Sequence, residues 1–275
     1  TTGPLGQGFA TAVGMAMAQQ SLAARFNKPG HDILHHDFWV LSSDGDFMEG
    51  ISHEAGSLAG HLGLGSLKVI YDDNHISIEG NTSLSFSEDV LRRFEAYGWR
   101  TIRVSDGNDL NAIEQALLDA QAEKKRPTLI AVRTHIGYGS PLQDNAKVHG
   151  APMTPEAIVQ TRQFFDWPQI PFHVPAEALR KCRETGERGR KLEEDWNLRF
   201  EAFQQGHPLE ARLLAAALER RLPDGLEHKL PVFPPDPKGV ATRVAGGKVL
   251  NALAKEIPFL IGGSADLGES NNTTL

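Results

Sequence analysis

The chain has little cysteine, no long apolar run and no excess of positive charge, and each shortage excludes a class of protein. Cys182 is the single cysteine among 275 residues, which rules out an internal disulfide and favours a reducing, cytoplasmic location. No apolar run approaches the ~20 residues that a membrane span needs. Lys and Arg number 28 against 35 Asp and Glu, a net charge of -7, which argues against a general nucleic-acid binder.

The chain also lacks an initiating Met. Thr1 begins directly on a glycine-rich stretch, and residues 271–275 follow the last motif with no closing element. We interpret the sequence as an internal piece of a longer protein. The alternative is a natural short chain with processed ends.

Apolar patterns predict strands that alternate with helices. Helical spacing of small and apolar residues is found at about 9–26, 49–62, 88–97 and 110–117. Short apolar or β-rich runs, which predict strands, are found at 38–41, 68–71, 101–104 and 128–132. This alternation is typical of an α/β fold with a doubly wound parallel sheet flanked by helices.

The pattern changes after about residue 166. Charged residues dominate 176–221 and predict two long helices broken at 206–208, and the Pro-rich stretch 222–239 is typical of a linker. A helix from Val240 and a strand at 259–261 predict a second, incomplete α/β domain. The predicted domains are 1–221, the linker 222–239 and the incomplete domain 240–275.

Two polar side chains follow two of the predicted strands. Asp44 comes soon after the run at 38–41, and Asn74 comes soon after the run at 68–71. Loops after consecutive strands of a parallel sheet gather at one edge, so Asp44 and Asn74 are expected to meet. Their hard oxygens suit Mg²⁺ or Ca²⁺, and Mg²⁺ usually keeps phosphate oxygens and water as further ligands. Gly45 has no side chain to block a phosphate that approaches the backbone.

Seven short motifs run through the chain in order. They are TGPLGQG (2–8), EGIS (49–52), AGHL (59–62), IYDDN (70–74), IGYGS (136–140), HGAP (149–152) and GGSADL (262–267). Together with Asp44-Gly45 and with Asn74 thirty positions after Asp44, they resemble transketolases, a family of thiamine diphosphate enzymes. The resemblance spans the whole chain.

The resemblance implies roles for particular residues. Metal ligands would be the side chains of Asp44 and Asn74 and the backbone carbonyl of Ile76. The cofactor would contact Gly3, Leu5, Gly45, Glu49, Asn74, Ile78, Ile136, His149 and Asp266. His149 would also take part in catalysis, and His149, Arg243 and Ser270 would bind the sugar phosphate. Glu49 would belong to a carboxylate network at the subunit interface, with Asp72 a looser candidate beside the metal.

Two positions near the metal depart from the family pattern or lack an assigned role. Ser43 stands where the family usually has Gly, and it could shift residues 43–46, the predicted metal loop, unless its φ is negative. Asp46 adds another carboxylate near the site, and the sequence does not indicate where it lies or what it binds. His53, His61 and His135 are interpreted as ordinary surface or core histidines.

The resemblance also implies an activity. It is the reversible transfer of a two-carbon ketol unit from a ketose phosphate to an aldose phosphate, in the pentose phosphate pathway, by a cytoplasmic homodimer. Because the family's activating Glu is not found among these residues, we expect the chain alone to be inactive. The alternatives are dihydroxyacetone synthase or another thiamine diphosphate ketol transferase, such as deoxyxylulose phosphate synthase, and a non-catalytic cofactor-binding subunit. Neither a nucleic acid nor a membrane is an expected partner.

Overall fold

The computed structural model describes residues 2–275. Contacts divide the chain into two compact units. The first contains residues up to Gln20 together with His35–Gly189, and the second contains Ser21–Leu34 together with Arg190–Leu275. The boundaries predicted from composition differ from this division and stay a prediction.

The strands all belong to the first unit. They are β1 (Phe38–Ser43), β2 (Leu67–Asp73), β3 (Ile76–Ser77), β4 (Gly80–Asn81), β5 (Arg100–Val104) and β6 (Thr128–Arg133). Four strands form a parallel sheet in the order β1-β2-β6-β5, and β3 and β4 form a short antiparallel pair. The predicted parallel α/β fold is therefore confirmed, and each predicted strand of this sheet lies within one of the observed ones.

Helices connect and cover these strands. They are α1 (Gln7–Phe26), α2 (Asp44–Met48), α3 (Gly50–His61), α4 (Val90–Ala96), α5 (Leu110–Ala122), α6 (Pro155–Phe164), α7 (Ala176–Gly206), α8 (Pro208–Leu218), α9 (Thr242–Glu256) and α10 (Gly268–Asn271). The charged stretch forms the two predicted long helices, α7 and α8, because Pro208 cannot continue α7 and begins α8 instead. Among the described residues, every helix falls short of the length or apolarity that crossing a bilayer requires.

An aromatic core fixes the start of α2 against the sheet. Phe9, Phe47, Phe94 and Trp99 are all buried, and their rings meet mainly edge to face at centroid distances such as 5.6 Å for Phe9 and Phe47. Phe47 also contacts the ring of Tyr71 on β2 at 5.1 Å. Such pairs add stability beyond the area they bury. Because α2 begins at Asp44, this packing positions the candidate metal ligand.

The second unit has its own small core. Phe26, Ile33, Phe203 and Leu214 are buried together, and the indole N–H of Trp196 donates to the carbonyl of Ile33 at 2.9 Å. The predicted strand at 259–261 is wrong, because those residues lie in a turn and an irregular segment. A strand is stabilised by pairing with a neighbour, and no partner strand for this segment exists among residues 2–275.

Candidate functional site

The candidate site lies at the carboxyl ends of β1 and β2. Asp44 follows β1 directly, and Asn74 follows β2 directly. The two strands are adjacent in register, with Ser43 beside Asp72, so the segments that follow them emerge side by side. This is the edge of a parallel sheet at which ligands bind in open α/β folds.

Asp44 is a buried carboxylate with one satisfied oxygen. The residue is 2% exposed, and its Oδ1 accepts a hydrogen bond from the Tyr71 hydroxyl at 2.5 Å. Its Oδ2 has no hydrogen-bond partner among the described residues. Burial raises the pKa of the Asp44 carboxyl, the Tyr71 hydrogen bond opposes this, and the charge of Asp73 raises the pKa further. The nearby His75 also lowers the pKa, although its backbone N–H does not reach hydrogen-bond geometry with Oδ2. An orphan carboxylate oxygen costs about 1–3 kcal/mol or more, and a cation would satisfy it.

Tyr71 remains a donor to Asp44. Burial raises the pKa of the Tyr71 phenol far above its usual range, and the Asp44 carboxylate adds to the effect. The hydroxyl therefore keeps its proton and occupies Oδ1. The remaining oxygen of Asp44 is the one available to a metal ion.

The turn after β2 brings an amide oxygen and a backbone carbonyl into the same region. The Oδ1 atom of Asn74 accepts from the backbone N–H of Ile76 at 2.9 Å, and His75 between them has a φ of 64°. This side-chain bond to the backbone two residues on is the usual turn chemistry of Asn. The Nδ2 of Asn74 donates to Asp72 at 3.4 Å, and the Thr134 hydroxyl donates to the other Asp72 oxygen.

The oxygen atoms of Asp44, Asn74 and the backbone carbonyl are ligands that fit a hard divalent cation. Within the described residues, no group of three or more His, Cys, Asp or Glu side chains could hold a metal ion. A site here therefore has to combine a carboxylate with amide and carbonyl oxygens, which is the mixture that Mg²⁺ and Ca²⁺ accept. The roles of Asp44, Asn74 and Ile76 as ligands stay a prediction.

A polar cavity of about 400 Å³ adjoins Asp44. Asp73 lies in its wall, where its carboxylate is 3.0 Å from His75 Nε2 and 4.0 Å from Arg103 Nη1. Other lining residues include Tyr71, Asn81, Thr82, Ser83, Ser87, Glu88 and Asp89. The sequence did not single out Tyr71 or Asp73. Their alternation on β2 is the signal that indicates a shared face, since side chains two apart on a strand point the same way.

Ser43 fits the loop without strain. Its φ of −122° is negative and extended, so the side chain that replaces the usual Gly costs no backbone energy. Its backbone N–H donates to Asp46 Oδ2 at 2.9 Å, and its hydroxyl donates to the same oxygen at 3.2 Å. Ser at the N-cap with an acidic residue three positions on is a capping-box pattern, which could have located Asp46 from the sequence.

The glycine-rich loop at the start of the chain lies against the metal loop. Gly6 has a φ of 75°, and its backbone N–H donates to Asp46 Oδ1 at 2.8 Å. A Cβ placed on Gly45 would lie 3.2 Å from a methyl carbon of Leu5, so that side chain covers the metal loop. Gly3 is exposed, and a side chain there would meet nothing within 4 Å.

The other predicted residues of the first unit are more exposed. Glu49 lies exposed between α2 and α3. Ile78 lies in the turn between β3 and β4 with 70% of its side chain exposed. Ile136 is half-buried and His149 is exposed, both in the segment between β6 and α6. In this segment His135, interpreted as an ordinary histidine, contacts the Asp144 carboxylate through Nδ1 at 2.9 Å.

Three predicted residues belong to the second unit. Arg243 is exposed near the start of α9, and Ser270 is exposed in α10. Asp266 is exposed and has a φ of 62°. Their roles in binding cofactor or substrate stay predictions.

Comparison with known proteins identifies the family. Residues 1–223 match the model of the transketolase thiamine diphosphate binding domain. Transketolases of Aquifex aeolicus and Geobacillus stearothermophilus are each 49% identical over all of this chain, which covers 39% and 42% of their lengths. The crystal structure of the Pichia stipitis transketolase complex with sedoheptulose-7-phosphate matches with a TM-score of 0.95 at 42% identity, covering 100% of this chain and 41% of that one.

The chain spans about two fifths of the length of the curated relatives it matches. The match to the family model covers most of the chain, including β1, β2 and the segments that follow them. The chain therefore belongs to the transketolase family, through its thiamine diphosphate binding domain.

Proposed function

We propose that the protein containing this chain is a transketolase that transfers a two-carbon ketol unit reversibly between a ketose phosphate and an aldose phosphate. The observation that carries the proposal is the unpartnered, buried Oδ2 of Asp44, beside the Asn74 turn at the ligand-binding edge of the sheet. A buried charge without a partner is expensive, and its retention at this edge favours a bound cation.

The metal would be Mg²⁺ or Ca²⁺, held by Asp44, Asn74 and the carbonyl of Ile76. When bound, thiamine diphosphate supplies the carbanion chemistry, and the protein supplies binding and orientation. Gly45 has no side chain of its own to block a phosphate, and Gly3, Leu5, Glu49, Ile78 and Ile136 would contact other parts of the cofactor. Asp266 would face a cofactor site made with another subunit. His149 would donate a hydrogen bond to the diphosphate and lie near the substrate.

The substrates would be sugar phosphates, as in the sedoheptulose-7-phosphate complex of the Pichia stipitis relative. Arg243 would bind the phosphate, because its guanidinium pairs with phosphate oxygens through two parallel hydrogen bonds. Ser270 would add a hydroxyl to the same group. We further propose a cytoplasmic homodimer that acts in the pentose phosphate pathway.

Calorimetric titration of the full-length protein with thiamine diphosphate, with and without Mg²⁺, tests the cofactor site. We expect binding that requires Mg²⁺ and that Asp44→Ala abolishes. Asp37→Ala is the matched control, because Asp37 precedes β1 as Asp44 follows it, and Asp37 pairs with Lys124. Metal-independent binding, or equal affinity in the Asp44→Ala variant, would contradict the proposal. A coupled assay of ketol transfer between two sugar phosphates then tests the reaction.

A further inference from the structure

Asp46 makes hydrogen bonds to two separate segments. One carboxylate oxygen accepts from the backbone N–H of Gly6 at 2.8 Å, across forty positions of sequence. The other oxygen accepts from the N–H and the hydroxyl of Ser43, at 2.9 and 3.2 Å. The carboxylate thus joins the glycine loop (residues 3–6) to the metal loop (residues 43–46).

The backbone around this carboxylate leaves little room for adjustment. Gly6 adopts a left-handed φ of 75°, and a Cβ there would lie 2.8 Å from Ile51 and 3.0 Å from Ser52. The hydroxyl of Ser52 donates to the backbone carbonyl of Asp46 at 2.5 Å, which attaches Asp46 to the first turn of α3. The glycine loop therefore rests on α3 from one side and is held by Asp46 from the other.

We propose that Asp46 is a positioning residue that sets the distance between the glycine loop and the metal loop, and so sets the spacing of the two loops that would contact the cofactor. The inference rests on the proposed function, which places the metal at Asp44, the diphosphate beside Gly45, and Gly3 and Leu5 against another part of the cofactor. The side chain of Asp46 makes its hydrogen bonds to Gly6 and Ser43 and is not among the predicted metal ligands. It acts through Gly6 on one side and Ser43 on the other.

The charge of Asp46 suits this role. Three donors converge on its two oxygens, and hydrogen bonds to an ionised acceptor are roughly twice as strong as neutral ones. Ser43 contributes through its backbone N–H, which any residue provides, and through its hydroxyl, which the usual Gly lacks. The Ser43 hydroxyl therefore reinforces the link, whereas Asp46 is essential to it.

The test compares variants of the full-length protein by calorimetric titration with thiamine diphosphate in excess Mg²⁺, and by thermal unfolding without cofactor. Asp46→Ala is expected to weaken cofactor binding by about tenfold or more, because both links are lost. Asp46→Asn keeps an acceptor for one link and is expected to fall between Asp46→Ala and the wild type. Ser43→Gly keeps its N–H and is expected to change the affinity by less than about threefold.

Asp109→Ala is the matched control for a purely structural role. Asp109 also accepts two backbone N–H groups, at the N-cap of α5, but joins no second loop. The Asp109→Ala variant is expected to have a lower unfolding temperature than the wild type and the same affinity for the cofactor. If Asp46→Ala behaves like Asp109→Ala, or binds cofactor within about twofold of the wild type, the inference is wrong.

The outcomes for the inference and for the proposed function are distinguishable. If the wild type binds cofactor and Asp44→Ala does not, while Asp46→Ala binds normally, only the role of Asp46 fails. If the wild type does not bind, or Asp44→Ala binds as well as the wild type, the cofactor site fails and the inference fails with it. If Asp46→Ala does not fold, the affinity of Asp46→Asn decides by the same criteria.

Discussion

Replacement of Asp44 by Asn is expected to stabilise the cofactor-free protein and to destroy its cofactor site. Asp44 is 2% exposed, Tyr71 satisfies only Oδ1, and Oδ2 lacks a partner within residues 2–275. An unsatisfied buried polar group costs about 1–3 kcal/mol, and more when it is charged. In Asp44→Asn, Tyr71 still donates to the amide carbonyl and the amide N–H groups lack an acceptor, so the gain is the part of the cost that comes from the charge. The unfolding temperature of the cofactor-free variant should therefore rise by roughly 2–4 °C for each kcal/mol gained.

The cofactor is expected to reverse this order of stability. At about 100 times its Kd, a ligand adds roughly 2.7 kcal/mol to a protein that binds it only when folded. The wild type should therefore unfold above Asp44→Asn with thiamine diphosphate and Mg²⁺ present, and below it in EDTA. Thermal unfolding of both proteins under both conditions measures the crossover, with Asp37→Asn as a control that should show none.

Two results would refute the reasoning separately. A variant that is less stable than the wild type in EDTA would mean that the Asp44 charge is compensated in the folded protein. A variant that gains as much from the cofactor as the wild type does would mean that Asp44 is not a ligand.

Two further predictions concern stability away from the site. Lys68 is fully buried, and burial lowers the pKa of its ammonium group to about 8. In the unfolded chain the pKa of Lys is about 10.4, so the unfolded state binds the proton more tightly than the folded state does. The folded protein therefore loses stability as the pH falls from about 10.4 to about 8. Urea unfolding should therefore show Lys68→Met gaining up to about 3 kcal/mol relative to the wild type between pH 10 and pH 7, and a constant difference would contradict this. Gly60→Ala should lower the unfolding free energy by several kcal/mol, on the order of the largest single-residue effects, because its Cβ would lie 1.8 Å from the Tyr97 carbonyl. Gly186→Ala, on α7 with nothing within 4 Å, should instead be neutral or stabilise by about 0.5–1 kcal/mol.

The sheet could be predicted from the sequence because its strands are short apolar runs separated by amphipathic helices. The apolar run at 259–261 also predicts a strand, but without a partner strand it forms none. The residues after β1 predict a loop, because Asp and Gly favour turns, whereas the structure forms α2 there. In the structure Asp44 and Asp46 occupy the first turn of α2, where acidic residues are favoured by the helix dipole.

Only the part of the candidate site that follows two consecutive strands could be predicted from the sequence. Asp44 and Asn74 directly follow β1 and β2, which are adjacent in the sheet and consecutive in the chain. The insertion of β6 between β2 and β5 does not follow from the sequence, yet it brings Thr134 to Asp72 and so supports the residue that orients Asn74. Candidate metal ligands can thus be predicted from motifs, whereas the residues that support them depend on strand order and on loop contacts such as that of Asp46 with Gly6.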